Sequence, residues 1–102
     1  MSTPAFLIVI GKVTDREQMV QYNAALREAG LYARHGGRYL AVGRAVAGLE
    51  NWDEGTGIVV AQFPDAAAAQ AFWDSEEYQQ TIKPLRATAG HFQVAILPGV
   101  AG

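Results

Sequence analysis

Three stretches of the chain are apolar at odd and even positions alike: Phe6 to Ile10, Ile58 to Ala61 and Val94 to Leu97. A strand with one wet face alternates apolar and polar side chains, so these strands need cover on both faces. Two helices can cover only one face of a four-stranded sheet. The other face needs a partner, and a second copy of the same chain is the simplest one. The pattern therefore predicts a homodimer joined sheet to sheet.

The punctuation between the apolar stretches gives the element order. Ala5 to Val13 reads as a strand, rich in β-branched residues. Thr14 and Glu17 have the spacing of a capping box, and Met19, Tyr22, Leu26, Ala29 and Ala33 then form one helical stripe. Gly36-Gly37 is the expected stop. Arg38 to Ala45 is a second strand, with a bulge expected at Gly43. A polar connection, Val46 to Thr56, leads to a third strand, Gly57 to Phe63. Asp65 is a fitting cap for the helix AAAAQAFW, and Ser75 for a short helix EEYQQTIK, which Pro84 interrupts. His91 to Leu97 is the last strand. The order is β-α-β-β-α-β, an α+β, ferredoxin-like arrangement with an antiparallel sheet. A chain of 102 residues fits one such domain over residues 1–102, with a short Pro/Gly-rich tail at 98–102.

Composition removes several function classes. Cysteine is absent, which excludes disulfides, cysteine-ligated zinc and a thiol nucleophile. The formal net charge of −2 argues against a nucleic-acid partner, which needs a basic surface to neutralise phosphates. The first apolar run is too short to span a bilayer, so no membrane partner is expected and a soluble cytoplasmic protein is the default. Gly43 to Gly48 has the glycine spacing of a phosphate loop, but Leu49-Glu50 stand where lysine and Ser/Thr belong. Ser75 lies between Asp74 and Glu76, a field that disfavours an alkoxide. His35 and His91 have no short ligand spacing, and neither a metal nor another cofactor is expected. Charge is also segregated: Arg16 to Arg44 holds five Arg and two Glu, whereas Glu50 to Glu77 holds seven acids and no base. Two solvated faces explain that simply, and complementary faces across a dimer explain it more sharply.

The ordered set His35-Gly36-Gly37-Arg38-Tyr39-Leu40, Gly43-Arg44, Leu49-Glu50, Phe63-Pro64-Asp65, Phe72-Trp73, Ser75-Glu76-Glu77-Tyr78-Gln79 and Leu85-Arg86 resembles the domain of unknown function 1330 family. That family lies within the dimeric α+β barrel superfamily. The resemblance runs from about Phe6 to Leu97 and implies the fold and a dimer, but no one reaction. Asn51 stands where the family has glycine, and asparagine tolerates the same left-handed turn. Related barrels include cofactor-free monooxygenases, lactone isomerases, cyclases and some haem enzymes, a kinship of fold alone.

The polar residues of that pattern define a candidate site. Arg44 and Arg86 would hold a carboxylate or enolate, with Tyr78 beside them, and His35 or Glu50 would move a proton. All five are expected at one cleft between sheet and helices. Trp52, in the polar connection, would cover a pocket mouth or anchor the loop across the dimer. Tyr22, Tyr39, Phe72 and Trp73 are further cavity candidates, with Tyr22 and Phe72 better read as core. The plainer alternative makes His35 a helix-end charge and Arg44–Glu50 a loop-closing ion pair. The expected function is a small-molecule pocket for a carboxylate or carbonyl compound, with cofactor-independent proton transfer. The alternative is a non-catalytic dimeric module.

Overall fold

The computed structural model describes residues 3–100. Strands β1 (Ala5–Val13), β2 (Arg38–Arg44), β3 (Gly57–Phe63) and β4 (Gly90–Pro98) form one sheet in the order β2-β3-β1-β4. Every neighbouring pair is antiparallel, with Ala5 opposite both Phe63 and Pro98. Helices α1 (Arg16–Ala29), α2 (Leu31–Arg34), α3 (Ala66–Asp74) and α4 (Lys83–Arg86) lie between the strands in the β-α-β-β-α-β order. The thinnest dimension is 17 Å, one sheet plus one helical layer. Of the 98–102 tail, Pro98 closes β4, and residues 101–102 lie outside the described residues.

Alternation decides which side chains enter the core. Leu7, Ala61 and Phe63 face the helices and are buried against Tyr22, Leu26, Leu31, Phe72, Tyr78 and Ile82. Each such large side chain contributes about 1.5–3 kcal/mol by leaving water. Tyr22 and Phe72 are core, as their helical spacing implied. Phe6, Ile8 and Ile10 alternate with the buried residues of β1, and Ile58 and Val60 pair beside them on β3. These residues face away from the helices and are half-buried.

Local chemistry departs from the sequence pattern at four places. The cap of α1 is Asp15, whose carboxylate accepts from the Gln18 amide at 3.1 Å. Thr14 is held one residue earlier, in the strand exit, by its amide donating to the Ala89 carbonyl at 2.7 Å. The long helix breaks at Gly30, whose φ of +62° ends α1 and opens α2. The β2 bulge falls at Leu40, between Tyr39 and Ala41, whereas Gly43 stays in register with a φ of +135°. The segment after Ser75 widens into a π-helical turn, Tyr78–Ile82, ahead of α4. Pro84 has no amide for the preceding turn and its ring crowds the carbonyls there, which accounts for the widening. Ser75 does cap this segment, its hydroxyl accepting from the Tyr78 amide at 3.2 Å.

Candidate ligand cleft

Strand β2 is the exposed edge of the sheet, and each of its seven residues is solvent-accessible. The break at Gly30 turns α2 toward that edge. Between them opens a cleft of about 430 Å³ walled by Leu26, Tyr32, Tyr39, Val42 and Val59, with Asn23 and Arg27 at its side. Tyr32 forms its back: its ring centroid lies 4.6 Å from Tyr39 and 4.7 Å from Phe72. Gly37 lets this end of the sheet close, since a Cβ there would sit 2.6 Å from the Phe63 ring.

Asn23 also borders a second, adjoining cleft of about 440 Å³ lined by Val13, Arg16, Met19, Val20 and Arg44. The two hollows together present three arginines, Arg16, Arg27 and Arg44, and no carboxylate. An apolar body with an anionic or carbonyl end fits that lining. Burial, reinforced by Tyr39 and then Tyr78, pushes the Tyr32 phenol well above its ordinary value, with Arg86 opposing. Burial raises Tyr39 as well. Both phenols are therefore neutral near pH 7 and serve as hydrogen-bond donors and acceptors rather than as phenolate bases.

The expected five-residue constellation does not share one cleft. Arg44 lines the hollow beside α1. Tyr78 is 2% exposed, and its hydroxyl lies 2.9 Å from that of Tyr22. Arg86 joins the same buried group from the other side, its guanidinium carbon 5.7 Å from the Tyr22 ring centroid and 4.8 Å from that of Phe92. It lines a separate cleft of about 200 Å³ with Lys83, Ala87, Gly90 and Phe92. His35 follows α2 and packs edge-on against Phe72 at 6.1 Å, one ring removed from Tyr32. Topology brings these segments to one layer, but the aromatic core stands between them.

Glu50 and Trp52 lie in the β2–β3 connection, away from these clefts. Glu50 is exposed. The expected Arg44–Glu50 ion pair is not formed. Among the described residues the ion pairs are Lys12–Asp53 at 2.7 Å and Arg34–Glu77 at 2.8 Å. Asp53 therefore ties the loop to β1, weakly, since exposed pairs contribute about 0–1 kcal/mol. Trp52 is half-buried against Gly48, where a Cβ would come within 2.7 Å of the Trp52 Cβ. Asn51 adopts a φ of +53°, the left-handed turn expected of it.

Asn23, Arg16, Arg27 and Tyr32 are the cleft residues that the sequence pattern misses. Tyr32 is hidden there because an uninterrupted helix gives it no special place. The signal is Gly30, two residues earlier. Among the described residues no group of three or more His, Asp or Glu side chains stands together as a metal site. No helix among them is long and apolar enough to cross a membrane.

The strand order and helical layer define a ferredoxin-like α+β protein. The chain belongs to the family described as domain of unknown function (DUF1330), which matches residues 4–100. No curated protein matches its sequence. Among solved structures it is similar to a dimeric ferredoxin-like protein of unknown function from Thermobifida fusca, at 15% identity over 96% of this chain and 92% of that one, with a TM-score of 0.68. It is also similar to a mutant form of SnoaB, a cofactor-independent oxygenase from Streptomyces nogalater, at 14% identity over 99% and 97% of the two chains, with a TM-score of 0.67. A protein of unknown function from Rhodopseudomonas palustris matches at 16% identity over 100% of this chain and 86% of that one, with a TM-score of 0.65. At these identities the likeness establishes the fold alone.

Proposed function

We propose that this protein is a homodimer that binds a small carboxylate or carbonyl compound in the cleft between α1 and β2. The observation that carries the reading is an apolar, tyrosine-backed cavity lined by Arg27 beside a second hollow lined by Arg16 and Arg44, with no acid in either lining. Tyr32 and Tyr39 flank the apolar body of the ligand, and Arg44 attracts its charged end. The half-buried apolar face of Phe6, Ile8, Ile10, Ile58 and Val60 joins two copies. An interface of that kind buries more than ~1,000 Å² in total.

In the catalytic form of this reading, the neutral phenols donate hydrogen bonds to a substrate carbonyl and stabilise its enolate. Proton loss from the adjacent carbon then needs no cofactor, and His35 is the imidazole nearest in sequence to take the proton. A cofactor-independent oxygenase shares this fold, so the fold itself is compatible with this form. One observation favours a non-catalytic binding module instead: no histidine or carboxylate lines the cleft.

Calorimetric titration with benzoate and larger aromatic carboxylates tests the binding step. Saturable binding by the intact protein, weakened at least tenfold in Tyr39→Ala, is expected. Equal affinity in Tyr39→Ala refutes the cleft assignment. Hydrogen–deuterium exchange at the α-carbon of an aromatic ketone in D2O separates the two forms. Exchange that His35→Ala abolishes establishes proton transfer, and binding without exchange establishes the module.

A further inference from the structure

We propose that Arg86 is the anchor of a second binding site, which takes the carboxylate of a small organic acid. Arg86 is 8% exposed, and its Nε is buried with no hydrogen-bond partner. A guanidinium stays charged in any protein environment, and a buried charge without an anionic partner is costly. The chain offers no such partner among the described residues, since neither of the ion pairs there involves Arg86. The carbonyls of Leu85 and Arg86 accept from other donors, Gln18 Nε2 at 2.8 Å and the Ala89 amide at 3.0 Å. The Phe92 and Tyr22 rings offset part of the cost, but supply no hydrogen-bond acceptor in the plane of the guanidinium.

An opening for an external anion is present. The cleft of about 200 Å³ that Arg86 lines is walled otherwise by Lys83, Ala87, Gly90 and Phe92, with no acidic residue. At about 30 Å³ per water, that volume holds a carboxylate with a short carbon chain. A planar guanidinium matches a carboxylate in a two-point fork. Lys83 adds charge at longer range, because its ammonium lies 4.9 Å above the Trp73 ring and 3.4 Å from Gln79 Oε1. One close cation and apolar walls favour a monocarboxylate over phosphate, which needs more donors. The site shares no lining residue with the cleft between α1 and β2, and the two assignments stand or fall separately.

The test is titration of the intact protein with propionate, phosphate or chloride at fixed ionic strength. It is followed by thermal unfolding and by the 15N–1H resonance of Arg86 Nε. Propionate should raise the unfolding temperature saturably and shift the Nε resonance downfield. In a Tyr39→Ala background, which weakens binding in the α1–β2 cleft, Arg86→Met should abolish the thermal effect and Lys83→Gln should weaken affinity several-fold. Equal stabilisation by chloride, or by propionate in Arg86→Met in that background, overturns the site. A response to phosphate alone overturns the carboxylate assignment. Should Arg86→Met fail to fold, an Nε resonance in the unmodified protein that propionate does not move rejects the proposal.

Discussion

The hydroxyls of Tyr22 and Tyr78 meet at 2.9 Å inside the core, joining α1 to the π-helical turn across 56 residues of sequence. Both residues are at least nine-tenths buried, so neither oxygen can turn to water when the other is removed. Tyr22→Phe or Tyr78→Phe alone should cost about 1–3 kcal/mol by stranding the remaining hydroxyl. The double variant should cost clearly less than the sum, because it removes both polar atoms. Chemical denaturation of the four proteins in the cycle measures this. Strict additivity would mean that the hydroxyls do not interact.

The same burial makes stability fall in alkali. Burial first, then Tyr78, raises the Tyr22 phenol above its unfolded value of 10.0, and Tyr32 is raised likewise. The neutral phenol is the form the fold favours. Its contribution is therefore fully present below pH 10 and is lost as pH rises toward the folded values. Above pH 10 each group should remove up to about 1.4 kcal/mol per pH unit. Ultraviolet titration should show these two tyrosines ionising together with unfolding. Ionisation of all tyrosines near pH 10 in a protein that stays folded contradicts the burial argument.

At the entry to α1, Asp15→Ala should destabilise by about 1 kcal/mol by freeing the Gln18 amide. Thr14→Ala should have less effect, because Thr14 engages Ala89 through its backbone. Denaturation midpoints in the opposite order would restore Thr14 as the cap.

Gly30 carries the turn that aims α2 at the cleft. A Cβ there meets nothing within 4 Å, so Gly30→Ala tests backbone conformation without a clash. The left-handed φ should cost about 1–2 kcal/mol. A neutral or stabilising outcome in thermal unfolding would mean that α1 and α2 can run on as one helix, which the stripe from Met19 to Ala33 invites.

That stripe shows how far sequence reading reaches. Element order, the strand positions, the Asp65 cap and the apolar face beyond the helices follow from periodicity and from residues whose chemistry acts locally. The breaks do not. Glycine at position 30 and glycine at position 43 look alike in sequence. One ends a helix and the other keeps strand register, while the bulge falls on Leu40. The site is less legible still. Arg44 and Arg86 look like partners by residue type, but Tyr22, Phe72 and Tyr78 fill the space between helices and sheet and leave them on separate clefts. Side-chain packing across distant segments decides that, and it leaves no periodic trace. Tyr32 becomes a cleft residue only through the turn at Gly30.

The apolar sheet face turned away from the helices predicts assembly. Sedimentation at micromolar concentration should give a dimer, and Ile8→Asp should give a folded monomer by placing a charge in the apolar face. A wild-type monomer under those conditions contradicts the sheet-to-sheet arrangement.

In the proposed function the ligand sits in the hollow between α1 and β2. Mapping amide and side-chain shifts during titration of the 15N,13C-labelled protein with 1-naphthoate tests it most directly. The largest changes should fall on Tyr32, Tyr39, Val42 and Val59, with Arg44 responding at the carboxylate end. Saturating changes confined to other surfaces, or no saturable change at millimolar ligand, would contradict it.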